Sequence, residues 1–382
     1  MAPTPLQPVV PTAEQVDRRL EQILRRGSLN VGGNATMDRV MLMMTRSCDL
    51  RCSYCFVDLT EQAWGDDHPG HEGQGAYRGE LPLGDMSVAT LHRSIDLLMR
   101  STKPELGVQL FGGEPARRWD ALLDMFHYAA DHPERRGRAL ELLFTSNGVH
   151  LTPERLDALR GLPVIVQFSL DGDERGSRFR RGHLLDQDAA VDRMMAAVQA
   201  LNASGVRWFM NATLPPAAAG DVMARYRWAR EAGVPALQMN YATGMTWTDE
   251  QVATYLIGVQ EMLAHHHADP TGLDLFNWRN DADPVPLCGD VIVDVDGALF
   301  QVGALFHERR FPLLRRAYRR AHLDDELPFT GMRMRLTTLL ERTRAALADH
   351  PRDMATFEQN IRLGAAVDLV VQVTRRRLGV EG

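Results

Sequence analysis

The sequence predicts an α/β protein: a partial (β/α)6 barrel with a small C-terminal extension of one β-hairpin plus helices. Three observations predict it. Apolar runs of five to nine residues alternate with helical stretches from about residue 40 to 245, the pattern of βα units around a parallel sheet. The alternation supplies six units where a closed barrel needs eight, so the barrel is open. Polar, glycine-containing motifs follow the apolar runs directly, at the C-terminal strand ends where such sheets gather their chemistry.

The elements follow in order. Residues 1–12 are proline-rich and predict an unpacked arm. "TAEQVDRRLEQILRR" (12–26) predicts an amphipathic helix capped by Thr12. The strands are "VMLMM" (40–44), "GVQLF" (107–111), "LELLFT" (140–145), "VIVQFSL" (164–170), "VRWFMNATL" (206–214) and "ALQMNYAT" (236–243). Helices are expected near 86–100, 115–131, 152–160, 184–204 and 219–232. This divides the chain into an arm and helix (1–39), a core (40–247) and an extension (248–382).

In the extension, a helix ends in "AHHHADP", whose three adjacent histidines cannot share one helical face and so make no metal site. "CGDVIVDVDGALFQV" (288–302) predicts a hairpin turning at Asp296-Gly297. From about 312 the pattern is helical to the end. Within it "HERRFPLLRRAYRRAH" (307–322) is either a solvated arginine-rich helix face or a basic surface for an acidic leader peptide.

Composition narrows the function. With 382 residues, 45% of them hydrophobic and 24% charged, the chain can bury a large core. Its formal charge of -7 lacks the basic footprint of nucleic-acid binding. Lys103 is the only lysine, a bias of GC-rich coding. Four cysteines do not make a disulfide framework. No apolar run reaches the roughly 20 residues of a membrane span. The N-terminus has no secretory pattern. These features together predict a cytoplasmic protein in which thiols stay reduced.

The cysteines carry the chemistry. Cys48, Cys52 and Cys55 stand in C-x3-C-x2-C spacing after the first strand, and Cys288 lies far downstream. A zinc site usually takes its ligands from two separated pairs, whereas iron–sulfur clusters sit on short thiolate loops. Three thiolates on a four-iron cluster leave one iron open to another ligand. His68 and His71, in the glycine-rich insertion 60–85, read as loop histidines or as further ligands.

With Tyr54 directly before the third cysteine, this loop resembles the signature of radical S-adenosylmethionine (SAM) enzymes. The order of the later motifs, "FGGEP" (111–115), "TSNG" (145–148) and "SLDG" (169–172), is similar to that of the SPASM and twitch branch. The resemblance covers about 40–245 and implies a TIM-like partial barrel, one [4Fe–4S] cluster on the three cysteines, and SAM on the open iron. It further implies that SAM is reductively cleaved to methionine and a 5′-deoxyadenosyl radical, which abstracts hydrogen from substrate. In the family's terms Gly112, Gly113 and Glu114 hold the SAM ammonium. Ser146, Asn147, Ser169 and Asp171 complete its pocket beside Tyr54, and Arg181 faces its carboxylate, with Arg178 and Arg180 as alternative matches.

The extension departs from that branch, because no cysteine follows Cys288. A lone thiol cannot hold an auxiliary cluster, so the extension is expected to be SPASM-like in shape without auxiliary metal. Cys288 is then either an inert remnant or a hydrogen-atom donor to a substrate radical. The resemblance implies a peptide maturase, crosslinking or epimerising a ribosomally made peptide, although residues 1–39 are too short for a separate peptide-binding domain. A small-molecule epimerase, dehydrogenase or dehydratase of natural-product biosynthesis is the alternative, and a non-catalytic iron–sulfur sensor a third. A one-electron donor such as flavodoxin or ferredoxin is the implied partner.

Overall fold

Strands buried on both faces need apolar residues at every position, and the six apolar runs do become adjacent parallel strands. The computed structural model describes residues 6–29, 37–57, 82, 84–173, 179–182, 186–279, 286–301, 310–326 and 332–380, with only the backbone of 27–29 and 180–182. The core strands are β1 (Arg39–Thr45), β3 (Glu105–Gly112), β4 (Ala139–Ser146), β5 (Val164–Ser169), β7 (Arg207–Leu214) and β8 (Ala236–Tyr241), hydrogen-bonded in that order and all parallel. Two short strands, β2 (Leu50–Cys52) and β6 (Arg180–Gly182), pair antiparallel in a separate ribbon.

Helices α2 (Val88–Met99), α3 (Trp119–Ala130), α4 (Pro153–Asp157), α5 (Gln187–Ser204) and α6 (Val222–Glu231) return the chain between core strands. The alternation within each strand then assigns two faces. On the helix-covered face Leu142, Phe144, Val166 and Phe168 have no exposed surface, each burial contributing roughly 1.5–3 kcal/mol. The opposite, concave face is only half-buried along β5 and over the C-terminal parts of β7 and β8. At its N-terminal end Leu143, Phe209 and Ala236 close against Ile165 and Phe276.

The extension continues this sheet. Helix α7 (Asp249–Ala268) opens with a capping box of Thr248 and Gln251. After β9 (Asp274–Leu275), paired with β8, the predicted hairpin forms as β10 (Val291–Val293) and β11 (Ala298–Gln301). Strand β10 lies parallel on the free edge of β1, with Val291 opposite Val40. The helical reading from 312 onward needs correction. Helix α8 (Leu313–Tyr318) is short, and β12 (Arg319–His322) follows as a strand pairing antiparallel with β11, giving a ten-stranded sheet. An exposed strand edge demands a partner, and that demand outweighs local helical propensity. Helices α9 (Leu336–Ala346) and α10 (Pro351–Arg377) complete the chain.

Two further expectations change. The predicted N-terminal helix forms as α1 (Ala13–Leu29), with Thr12 and Gln15 bonding reciprocally at its start. The segment before it is docked, however. Gln260 bonds Val9 N and Gln7 O at 2.6 and 2.8 Å, and Arg377 donates to Gln7 O at 2.7 Å. Backbone groups with no ladder of their own find side-chain partners. Nor is the arginine-rich stretch wholly solvated: Arg315 is buried, its Nη2 2.5 Å from Asp294 and its guanidinium 4.3 Å from the Phe300 ring centroid.

Candidate active site

The cysteine loop leaves β1 at Thr45 and is held from three sides. The first is the glycine strap after β3. Gly113 N donates to Thr45 O and Glu114 N to Ser47 O, both at 2.8 Å. Gly112 sits at φ +140°, and a Cβ there would lie 2.3 Å from Thr45 O. One on Gly113 would lie 2.2 Å from Ser47 O. Backbone this close to backbone admits only glycine. The second side is the β2–β6 ribbon, which sets Cys52 opposite Arg180 and Arg51 opposite Arg181. Ser53 N extends it with a 2.9 Å bond to Phe179 O.

The third side is ionic. Arg46 Nη2 donates to both oxygens of Asp294 at 3.0 Å, and neither side chain is exposed. Within the loop, Asp49 accepts from Arg117 at 3.2 Å and meets His150 Nε2 at 2.8 Å. Those partners pull the Asp49 carboxyl below its ordinary range against the opposing effect of burial.

Glu114 lies at the centre, fully buried. Its Oε1 accepts from Ser146 Oγ at 2.9 Å and Ala116 N at 3.0 Å, and its Oε2 from Asn147 N at 2.6 Å. Burial pushes its carboxyl up to about 7, opposed by those donors. Asn147 reaches onward, its Nδ2 3.6 Å from Cys48 Sγ. Burial first and Glu114 second raise the Cys48 thiol well above the ordinary range. Tyr54, buried beside the loop, donates through its hydroxyl to Asp171, whose other oxygen accepts from Thr213 N at 3.0 Å. Phe56 stacks on Phe111 with ring centroids 5.9 Å apart.

The structure thus gathers Cys48, Glu114, Ser146 and Asn147 into one network, and links Tyr54 to Asp171 in another. Ser169 ends β5 on the concave face, opposite Asn211 of β7. Arg181 is placed by its backbone alone, in β6 against the cysteine loop. His68, His71 and Arg178 lie outside the described residues. Cys288 is elsewhere. It enters β10 at the N-terminal end of the sheet, where Arg333 bridges Asp290 and Asp38 at 2.6 and 2.8 Å. The Val40 level it precedes is five strand residues from Thr45, roughly 16 Å.

Sequence reasoning missed a row of carboxamides on the concave face. Gln109 Nε2 bonds Gln167 Oε1 at 3.3 Å, Asn240 Nδ2 bonds Asn211 Oδ1 at 2.6 Å, and Gln238 is level with Asn211. The signal was available: polar residues at alternate positions of strands otherwise apolar throughout. It also missed Asp49, Arg117, His150, Arg46 and Asp294, whose pairings join distant segments.

Three thiols on one short loop suit a metal, since a thiol as disfavoured in its charged form as Cys48 is deprotonated outright by coordination. Among the described residues no group of three or more His, Cys, Asp or Glu side chains is arranged to hold a metal ion. A four-iron cluster asks for something different, because each of its thiolates binds a different iron.

A partial parallel barrel whose first strand feeds a three-cysteine loop, strapped by a glycine-glycine-glutamate turn, defines an enzyme with its reactive centre at the barrel mouth. The model of the radical SAM superfamily matches residues 42–256, and the chain belongs to that superfamily. It is a radical SAM enzyme, using a [4Fe–4S] cluster and SAM. The radical SAM cyclopropyl synthase TigE of Paramaledivibacter caminithermalis (strain DSM 15212 / CIP 107654 / DViRD3) is 22% identical over 142 residues, 37% of this chain. That stretch spans 28% of TigE's own length. Native anSMEcpe with bound AdoMet shares the fold at a TM-score of 0.59 and 14% identity, over 80% of this chain and 82% of that one. Its complex with AdoMet and the Cp18Cys peptide matches at 0.58 and 14%, over 80% and 81%. Among the described residues no helix is long and apolar enough to cross a membrane.

Proposed function

We propose that the enzyme modifies a ribosomally made peptide, by crosslinking or epimerising a residue within it. The observation that carries this reading is the concave face. Beside its apolar patch, β3, β5, β7 and β8 present Gln109, Gln167, Asn211, Gln238 and Asn240, all half-buried. Carboxamides both donate and accept, which suits the alternating N–H and C=O groups of a peptide better than a charged metabolite. The fold shared with a peptide-bound neighbour supports the same reading.

In this reading Cys48, Cys52 and Cys55 hold the [4Fe–4S] cluster. Gly112, Gly113 and Glu114 face the SAM ammonium, which a buried carboxylate would attract. Ser146, Asn147, Ser169, Asp171 and Arg181 finish the SAM pocket, with Tyr54 fixing Asp171. Cluster and SAM together supply the radical that takes a hydrogen atom. The protein's part is to hold the loop rigid, exclude water around Glu114 and present the peptide along the carboxamide row. Cys288 is an inert remnant, its end of the sheet being remote from the cysteine loop. We place the enzyme in the cytoplasm, reduced by a flavodoxin or ferredoxin. Residues 40–247 form the catalytic core, 248–382 the extension, and 1–39 an arm and helix.

The test is mass spectrometry of a short peptide encoded beside the gene, incubated with reconstituted enzyme, SAM and reductant. A loss of two hydrogens, or an unchanged mass with inverted stereochemistry, supports the reading. An unmodified peptide together with turnover of a neighbouring pathway's small metabolite overturns it.

A further inference from the structure

Arg310 comes from the extension, just before α8, yet its guanidinium reaches the cysteine loop. Its Nη2 donates to Ser53 O at 3.2 Å, within the turn joining Cys52 to Cys55. Its Nε is buried with no hydrogen-bond partner. The aliphatic stem is wedged against the turn after β8, where a Cβ on Gly244 would lie 2.5 Å from Arg310 Cγ. So the side chain is held in place by packing at its base and by one carbonyl at its tip.

Among the described residues it has no counter-charge. Around the same loop Arg46 lies on Asp294 and Arg117 on Asp49, while Arg51, half-buried like Arg310 and with its own Nε buried and unpartnered, belongs to the β2–β6 ribbon. Among the described residues no carboxylate forms an ion pair with Arg310. The residue is half-buried with its Nε shut away from water, and holding a cation there without a partner carries a cost. What the guanidinium faces is the turn that carries Cys52 and Cys55, which it reaches through Ser53 O. Neutral thiols on that turn could not balance its charge. Thiolates bound to iron could, because metal keeps them ionised.

We propose that Arg310 is the counter-charge built into this chain for its iron–sulfur cluster, pinning the extension to the Cys52–Cys55 turn and setting how readily the cluster is reduced. The inference rests on the reading that Cys48, Cys52 and Cys55 hold the cluster. Reduction of a [4Fe–4S]2+ core to [4Fe–4S]+ adds one electron and one negative charge. A fixed guanidinium on the turn that carries two of the ligands favours that reduced side, as neighbouring charge and hydrogen bonds generally tune cluster potentials. Arg310 is thus a positioning and tuning residue, acting through the cluster rather than on substrate.

The experiment is an EPR-monitored redox titration, with dithionite and mediators, of the anaerobically reconstituted full chain. Arg310→Met should keep wild-type iron content and shift the midpoint lower. At fixed potential the reduced-to-oxidised ratio should fall about tenfold, which for one electron is about 59 mV. Arg310→Lys, which keeps the charge, should stay closer to wild type. An unchanged midpoint in Arg310→Met at full iron content overturns the proposal. Should that variant fail to fold, amide exchange of the wild type decides. Residues 310–318 should gain protection on cluster loading, and equal exchange in the loaded and cluster-free forms counts against the proposal. Failure of the underlying cysteine reading looks different: Cys55→Ser would then leave iron content unchanged.

Discussion

Arg46 and Asp294 are 248 positions apart in sequence, yet one guanidinium nitrogen bonds both carboxylate oxygens at 3.0 Å with neither side chain exposed. Arg46 stands two residues before Cys48, and Asp294 lies in the turn of the extension's hairpin. Arg315 shares the same carboxylate. The hairpin is therefore ionically bolted to the root of the cysteine loop. Replacing Asp294 by Ala would strand two buried cations, and should cost about 3–5 kcal/mol. Urea unfolding of cluster-free protein reads this directly, as a lower midpoint at unchanged slope.

The glycine strap makes a second prediction. A Cβ on Gly113 meets a carbonyl oxygen at 2.2 Å, so Gly113→Ala must push the strap off Ser47 and misplace Glu114. Crowding of this kind costs about 1–3 kcal/mol, and the variant should retain markedly less iron after reconstitution. Gly289→Ala is the control. Nothing lies within 4 Å of its added Cβ, and it should bind iron as wild type does.

Glu114 makes stability depend on pH. Its folded pKa is raised from 4.5 to about 7, so the native state keeps a proton that the unfolded chain has released. The contribution of Glu114 to the stability of the cluster-free protein should be fully present below about 4.5 and be lost as pH rises to about 7, by up to about 3 kcal/mol. Glu114→Gln cannot titrate and should lack this component. Parallel stability–pH curves for the two proteins would contradict the assignment.

Tyr54 ties the loop to the mouth of β5 through Asp171. Tyr54→Phe leaves a buried carboxylate short of one donor, a loss of about 1.5–3 kcal/mol for a bond to a charged group. Thermal unfolding should register it. The apparent KM for SAM should rise more than kcat falls, because the change loosens the pocket rather than the reacting atoms.

What the sequence made legible follows from how local each signal is. The six parallel strands announce themselves as apolar runs, and the cysteine triplet and glycine strap are each contiguous. Glu114, Ser146 and Asn147 were readable because each ends a strand, where the topology itself brings them together. Long-range pairings leave no such trace. Nothing near Arg46 points to Asp294, and nothing near Arg310 points to Ser53. The arginine-rich stretch looked like one solvated helix because charge patterning is read locally, whereas the free edge of β11 recruited its second half as a strand. The carboxamide row was visible in principle: Gln109, Gln167 and Asn211 interrupt strands that should be apolar on both faces, and an interruption repeated from strand to strand marks a lined cavity.

The central claim is that Cys48, Cys52 and Cys55 hold a cluster on which SAM is cleaved. The direct measurement is 5′-deoxyadenosine, quantified by chromatography and mass spectrometry after anaerobic reconstitution and reduction with SAM present. Wild-type protein should form it, and Cys48→Ala, Cys52→Ala and Cys55→Ala should each fall to the level of a protein-free control. A fully iron-loaded wild type that forms none, or a triple-cysteine variant that still does, would contradict the account.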